Sequence, residues 1–207
     1  MARYTEPVCR LCRREKVKLF LKGDRCNTKC PIDKKKFGPG MPVRRRKNLS
    51  EFGIQLREKQ KVRWYYGLQE KQFKIAYKKA EKAAGATGTN LLIMLERRLD
   101  NVVFRMGFAE SRAHARQLVR HSNISVNDRK VNIPSCQVNV DDIVTVVDHM
   151  KDNIYIQKAI ERIKSYGTKP WLEVDIDKLS GKVLQLPDRV DIDLETEENL
   201  IVEFYNR

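Results

Sequence analysis

From residue 49 onward the apolar positions follow two rhythms. In the first, one residue in every three or four is apolar, the period of a helix half sunk in a core. Ser50 opens such a stretch as an N-cap, with Glu51 in the first turn, Leu49 set to staple onto Ile54, and Gly67 as a stop. A second helix is predicted from Phe73, Ala76, Tyr77, Ala80 and Ala84, with Gly85 beyond it. After the small-polar break Ala86-Thr87-Gly88-Thr89, the spacing of Leu92, Leu95, Leu99, Val102 and Met106 predicts a third helix, closed by Gly107. A short helix follows Ser111, and residues 152–166 predict another, with Ile156, Ala159, Ile160 and Ile163 on one face. The second rhythm is β-favouring: Ile124–Val126 and Ile143–Val147 lie around the turn Asn127-Asp128-Arg129-Lys130. Later, brief apolar pieces alternate with Asp and Pro-Asp turns, and the period of Glu197 to Arg207 fits helix and strand alike. No internal repeat is visible, and the mixture predicts an α+β chain.

Residues 1–48 stand outside both rhythms. They are basic, carry Gly38, Pro39, Gly40 and Pro42, and hold Cys9, Cys12, Cys26 and Cys30. So small a unit buries little core and needs an external staple or a partner surface. The cysteines stand as C-x2-C-x13-C-x3-C, two close pairs joined by a loop long enough to fold back. That spacing can set four thiolates around one tetrahedral ion, structural zinc or alternatively a 4Fe-4S cluster, and leaves no open position for a substrate. Cys136, beside Pro134 and Ser135, reads as a packed thiol.

Charge changes the picture further. The 207 residues carry a net +15, unevenly spread: residues 1–130 have 33 Lys/Arg against 12 Asp/Glu, whereas residues 131–207 have 9 against 15. A basic front predicts a polyanion partner, and an acidic back predicts a face toward protein neighbours or solvent. Residues 1–20 lack the apolar run of a secretory signal, and no stretch reaches the roughly 18–20 apolar residues of a membrane span. A cytoplasmic chain with reduced thiols and no membrane partner is therefore expected.

The cations also fall in rows. Arg44, Arg45, Arg46 and Lys47 follow the Gly/Pro-rich loop. Lys71, Lys74, Lys78 and Lys82 recur along the second helix, and Arg112, Arg116 and Arg120 recur every four residues after Ser111. Arg57, Lys59, Lys61, Arg63, Arg97, Arg98 and Arg105 add to the excess. A solvated helix face normally mixes signs, so these rows predict contact with nucleic-acid phosphates. Trp64, Tyr65 and Tyr66 read as helix packing rather than base stacking. No phosphate-cradling glycine loop is present, and His114, His121 and His149 lack triad partners at telling spacings. Asp141-Asp142 reads as a turn. A catalyst and a small-molecule substrate are not expected. A DNA regulator with a zinc arm would need a groove-reading helix and a dimer surface. An RNA-modifying enzyme would need a separate catalytic domain, for which no residues are left over.

The blocks LSEFGIQLREKQKVRWYYGLQEKQF (49–73) and LERRLDNVVFRMGFAESRAHARQLV (95–119), with VNIPS (131–135), DDIVTV (141–146) and the ending NLIVEFYNR, resemble the bacterial small-subunit ribosomal proteins of the S-four family. The four cysteines are similar to those of its metal-carrying branch. The resemblance implies a basic four-cysteine arm over 1–48, a mainly helical domain over 49–91 completed by 190–207, and an inserted α+β domain over 92–189. The last would hold the family's RNA-binding module, two short helices and an antiparallel β-ribbon, called the α-L motif, with His121 and Lys130 on its RNA side. It further implies a primary binder of small-subunit ribosomal RNA that nucleates assembly, touches neighbouring small-subunit proteins and lines the channel by which messenger RNA enters. Arg44–Lys47 would face that channel. A contribution to translational accuracy and, in some members, repression of the protein's own operon belong to the same likeness. Asp128 stands where the family commonly has a ribbon-turn glycine, and His121-Ser122-Asn123 where it commonly has His-Gly-His.

Overall fold

The computed structural model describes residues 4–35, 37–40, 49–151 and 153–207. In chain order the elements are α1 (Cys9–Glu15), α2 (Asp24–Thr28), α3 (Pro31–Lys34), α4 (Glu51–Tyr65), α5 (Glu70–Glu81), α6 (Thr87–Glu96), α7 (Leu99–Arg105) and α8 (Arg112–Arg120). There follow β1 (Ile124–Val126), β2 (Arg129–Lys130), β3 (Ile143–Val146), α9 (Ile154–Tyr166), β4 (Leu172–Asp175), β5 (Ser180–Val183) and α10 (Glu198–Tyr205). The chain forms two compact units, Met1–Leu91 with Leu194–Arg207, and Leu92–Asp193, the division falling inside α6.

In the first unit the Ser50 hydroxyl accepts from the Gly53 amide at 3.2 Å, so the N-cap stands as expected. Leu49 and Ile54, expected to staple together, are both exposed. Trp64, Tyr65 and Tyr66 are buried, as are Phe73, Tyr77 and Ala80 of α5. The segment whose period fitted helix or strand is the helix α10, which lays aromatics on this core: Phe204 meets Phe52 at 5.5 Å and Tyr205 meets Tyr77 at 4.5 Å. Gln55 donates to Glu203 at 2.9 Å, and Thr196 donates to Glu58 at 2.9 Å. Gly88 lets α6 approach α10 closely, for a Cβ there would lie 2.7 Å from that of Glu198.

In the second unit a five-stranded sheet runs β2-β1-β3-β5-β4, every neighbour antiparallel, with Ile124 opposite Val146 and Val126 opposite Val144. Its core joins Val144, Val146, Trp171, Leu172 and Val183 to Leu99, Val102 and Met106 of the α7 region and to Ala115, Leu118 and Val119 of α8. Gly181 in β5 lies close against Met106, since a Cβ there would meet the Met106 sulfur at 2.7 Å and force that side chain to shift.

Two expectations are corrected here. The helix expected over 92–106 is two helices, α6 and α7, broken at Arg98, which is extended (φ −66°, ψ 135°). Segment 134–138 threads the break: the Leu99 amide donates to the Cys136 carbonyl at 2.8 Å, and the Val138 amide donates to the Arg97 carbonyl at 3.0 Å. Those tertiary bonds replace intrahelical ones, so local spacing could not reveal the stop. The ribbon turn is Asn127-Asp128 alone, both left-handed (φ 49° and 61°), while Arg129 and Lys130 form β2. Asn and Asp tolerate that conformation, which is how Asp128 can occupy a glycine's place.

Candidate nucleic-acid interface

The arm buries three of its four cysteines. Cys12, Cys26 and Cys30 are buried and Cys9 is half-buried, and the charges of Cys9, Cys26 and Cys30 all act on Cys12. Burial pushes the Cys12 and Cys26 thiols up. The Lys22 amide donates to the Cys26 sulfur at 3.3 Å, a bond that would stabilise a thiolate. Among the described residues no three His, Cys, Asp or Glu side chains stand together ready to hold a metal ion. The donor set suits a tetrahedral thiophilic ion, though the sulfurs would have to close inward to ligate it.

The cations of α4 largely serve the fold. Lys59 is 3 % exposed; it donates to Glu70 at 2.8 Å and lies 4.6 Å from the centre of the Phe204 ring. This corrects its assignment as an RNA contact, for a buried ammonium cannot meet a phosphate without leaving its carboxylate. Arg57 pairs with Glu15 of α1 at 2.8 Å, where Glu15 is buried, and Lys61 pairs with Glu58 at 2.7 Å. Arg63 stands 3.5 Å from Glu70 and over the Trp64 ring, and burial lowers its pKa. Burial also pushes the Glu70 carboxyl up, but Lys59 and the Tyr205 hydroxyl outweigh it and hold Glu70 below the ordinary value.

On α5 the opposite holds. Phe73, Tyr77 and Ala80 turn inward, and Lys71, Lys74, Lys78 and Lys82 are exposed. No ion pair among the described residues engages these four. They span about 16 Å of helix, a charged edge about three turns long.

The arginine row of α8 does not form a solvent stripe. Arg112 is 7 % exposed, donates to the Asn101 carboxamide oxygen at 2.8 Å and lies 4.5 Å from the centre of the Phe104 ring. Arg116 donates to Asp100 at 2.8 Å. Arg98 is also buried and grips Asp100 with two bonds, at 3.1 and 3.0 Å. Arg105 binds Glu96 through two nitrogens, at 3.1 and 2.8 Å, and Glu96 accepts a further bond from Asn101. Arg97 donates to the Val138 carbonyl and to Asn139. These arginines pin α6, α7, α8 and segment 137–139 to one another, because buried carboxylates need charged partners. Of the cations that the sequence assigned to RNA in this unit, Arg120, His121 and Lys130 remain exposed. Arg44, Arg45, Arg46 and Lys47 lie outside the described residues.

The periodic rows miss another set. Arg10, Arg14, Lys16, Lys22, Arg25, Lys29, Lys34 and Lys35 are exposed around the cysteine cluster. Their signal was the charge surplus of the arm rather than any period.

No described helix is long and apolar enough to cross a membrane. The profile described as "Ribosomal protein S4/S9 N-terminal domain" matches residues 3–96, and that described as "S4 domain" matches residues 97–144. Over its whole length the chain is 54 % identical to small ribosomal subunit protein uS4A of Alkaliphilus oremlandii and 53 % identical to uS4 of Desulforamulus reducens, each covered completely. It is 50 % identical to uS4 of Heliobacterium modesticaldum, again with both chains fully covered.

Proposed function

This chain belongs to the uS4 family of small ribosomal subunit proteins, and we propose that it serves the small subunit as a structural protein that binds ribosomal RNA and touches neighbouring proteins there. The full-length likeness carries this reading, and α5 supports it from the residues, since a lysine row that no described acid pairs with has the form of a phosphate-binding edge. Affinity comes from Lys–phosphate contacts, and selection from RNA shape, because the deep A-form major groove hides base edges from side chains. Co-sedimentation with small subunits at high salt, with filter binding to small-subunit RNA, tests it. The wild type is expected to be retained; a folded chain indifferent to that RNA would overturn the reading.

The finer reading is early binding at a multi-helix RNA junction, a lining role for Arg44–Lys47 where messenger RNA enters, a contribution to accuracy, and repression of its own operon. Its support is the resemblance of the sequence blocks, and cross-linking of Arg44–Lys47 to messenger RNA is its direct test.

For the arm we propose one zinc ion on Cys9, Cys12, Cys26 and Cys30. Three buried cysteines, a half-buried fourth and an amide that donates to the Cys26 sulfur support it. A bound ion would staple a segment too small to hold itself by core burial. Elemental analysis with an absorption spectrum decides: one zinc per chain and no visible band is expected, and iron with a charge-transfer band would replace zinc by a cluster.

A further inference from the structure

The chain has three histidines, and all belong to one stretch of surface built from α8, the loop after it, the turn at Asp148–Met150 and the start of α9. His114 and His121 are seven residues apart on α8 and its C-cap, about two turns along one face. His149 shares a hydrogen bond of 3.2 Å with Asn123, two residues past His121. His114 meets Tyr155 with ring centroids 6.0 Å apart and planes at 76°.

Tyr155 is held at this place by its backbone. The Asn153 side chain accepts from the Tyr155 amide at 2.9 Å and so caps the start of α9. Ile156, Ala159 and Ile160 are buried, which turns Tyr155 and Lys158, three residues apart, to the outside of the helix. Tyr155 is 60 % exposed: the His114 ring braces it and leaves most of it open. Burial holds His114 below the ordinary histidine range against the pull of Glu110, so the brace is an uncharged ring at neutral pH. Arg120 and Lys158 are exposed, and no ion pair among the described residues engages either. Asp148, one of the acids here beside Glu110 and Glu161, is paired with Lys151.

An open aromatic ring, imidazoles and amides beside such cations is not the make-up of a duplex-backbone face such as α5. It suits unpaired nucleotides, whose bases stack on aromatic rings and expose their edges to polar side chains. The cations favour a polyanion over an apolar protein surface.

We propose that Tyr155 is a stacking platform for an unpaired nucleotide of the RNA this chain binds, with Lys158 and Arg120 holding flanking phosphates. The proposal rests on the RNA-binding reading above.

Filter binding of the full chain to small-subunit RNA over a salt series tests it with wild type, Tyr155→Phe, Tyr155→Ala and Lys158→Ala, each checked by thermal unfolding. Tyr155→Ala is expected to bind about 5- to 150-fold more weakly, as loss of one stacked base implies. Its salt slope should stay unchanged, since no charge is removed. Tyr155→Phe should bind within about twofold of wild type, because a phenyl ring stacks as well. Lys158→Ala should flatten the slope by about one phosphate's worth. Wild-type binding matched by Tyr155→Ala sinks the platform alone, as does a Phe variant as weak as the Ala variant. Loss of a protein neighbour by Tyr155→Ala with RNA affinity intact assigns the surface to protein and also overturns the proposal. A wild type that ignores the RNA removes the underlying reading first.

Discussion

On α5, Lys71, Lys74, Lys78 and Lys82 point to solvent while its first residue, Glu70, turns inward to Lys59 and Tyr205. On α8, Arg112 and Arg116, at a similar spacing, turn inward to Asn101 and Asp100, and Arg120 is left outside. Two features separate the helices. The inward side of α5 is filled by Phe73, Tyr77 and Ala80, which leaves the lysines no interior to enter. On α8 the positions 112, 115, 116 and 119 form one helical stripe, and Ala115 and Val119 on it are buried, so the two arginines sit on the core side. Guanidinium suits that place better than ammonium, being planar, less strongly hydrated and able to fork onto a carboxylate. Cation spacing thus marks a face, and the neighbouring apolar residues tell which way it looks.

The sharpest way to break this contrast is to remove Arg112 and Arg116 together. Asp100 would keep only Arg98, and a buried ion pair broken on one side costs roughly 3–5 kcal/mol. The double alanine variant should therefore lose much of its thermal stability. If Tm holds and only RNA affinity falls, α8 is a second α5 and the contrast is wrong.

Next in size is the quadruple alanine variant of Lys71, Lys74, Lys78 and Lys82. Its Tm should stay near that of wild type, while the slope of log affinity against log salt flattens by about 0.9 for each phosphate no longer neutralised. An unchanged slope would show that α5 faces away from RNA.

Arg120→Ala separates the outer end of α8 from its inner part. A slope change equivalent to about one phosphate is expected, with stability within about 0.5 kcal/mol of wild type.

The smallest effect concerns the one inward acid of α5. Because Glu70 is held below its ordinary value, its stabilisation is complete above the unfolded-state carboxylate pKa and fades as pH falls through the lower folded value. Glu70→Gln should flatten the acid side of the stability–pH curve, measured by unfolding midpoints; an identical acid limb in both proteins would remove Glu70 from that role.

Much of the fold was legible in the chain, and the failures share a cause. Helix α4 could be read from its Ser50 cap and α5 from the apolar spacing of Phe73, Tyr77 and Ala80, as could the Asp141-Asp142 turn, where Asp142 accepts from the Asn139 amide at 2.7 Å. The break at Arg98 and the pairing of β3 with β5 depend on distant segments, which no local period records. For the interface, charge excess identified the class of ligand but not the orientation of each cation. Lys59 and Arg116 were assigned to RNA because Glu70 and Asp100, 11 and 16 residues away, are not neighbours in sequence. Of the α8 set, Arg112 and Arg116 carried a readable warning, their place on the stripe of Ala115 and Val119.

The first unit is completed by a segment made after the second. While the chain is being synthesised, Leu92–Asp193 is finished before Leu194–Arg207 exists, so the usual order in which N-terminal domains mature first is inverted for this molecule. Until Phe204 and Tyr205 arrive, Phe52 and Tyr77 lack the rings that cover them, and Glu70 lacks its phenol partner. A nascent chain halted short of residue 194 would carry one mature half and one with an open aromatic seam, a substrate for chaperones rather than a half-built assembly part.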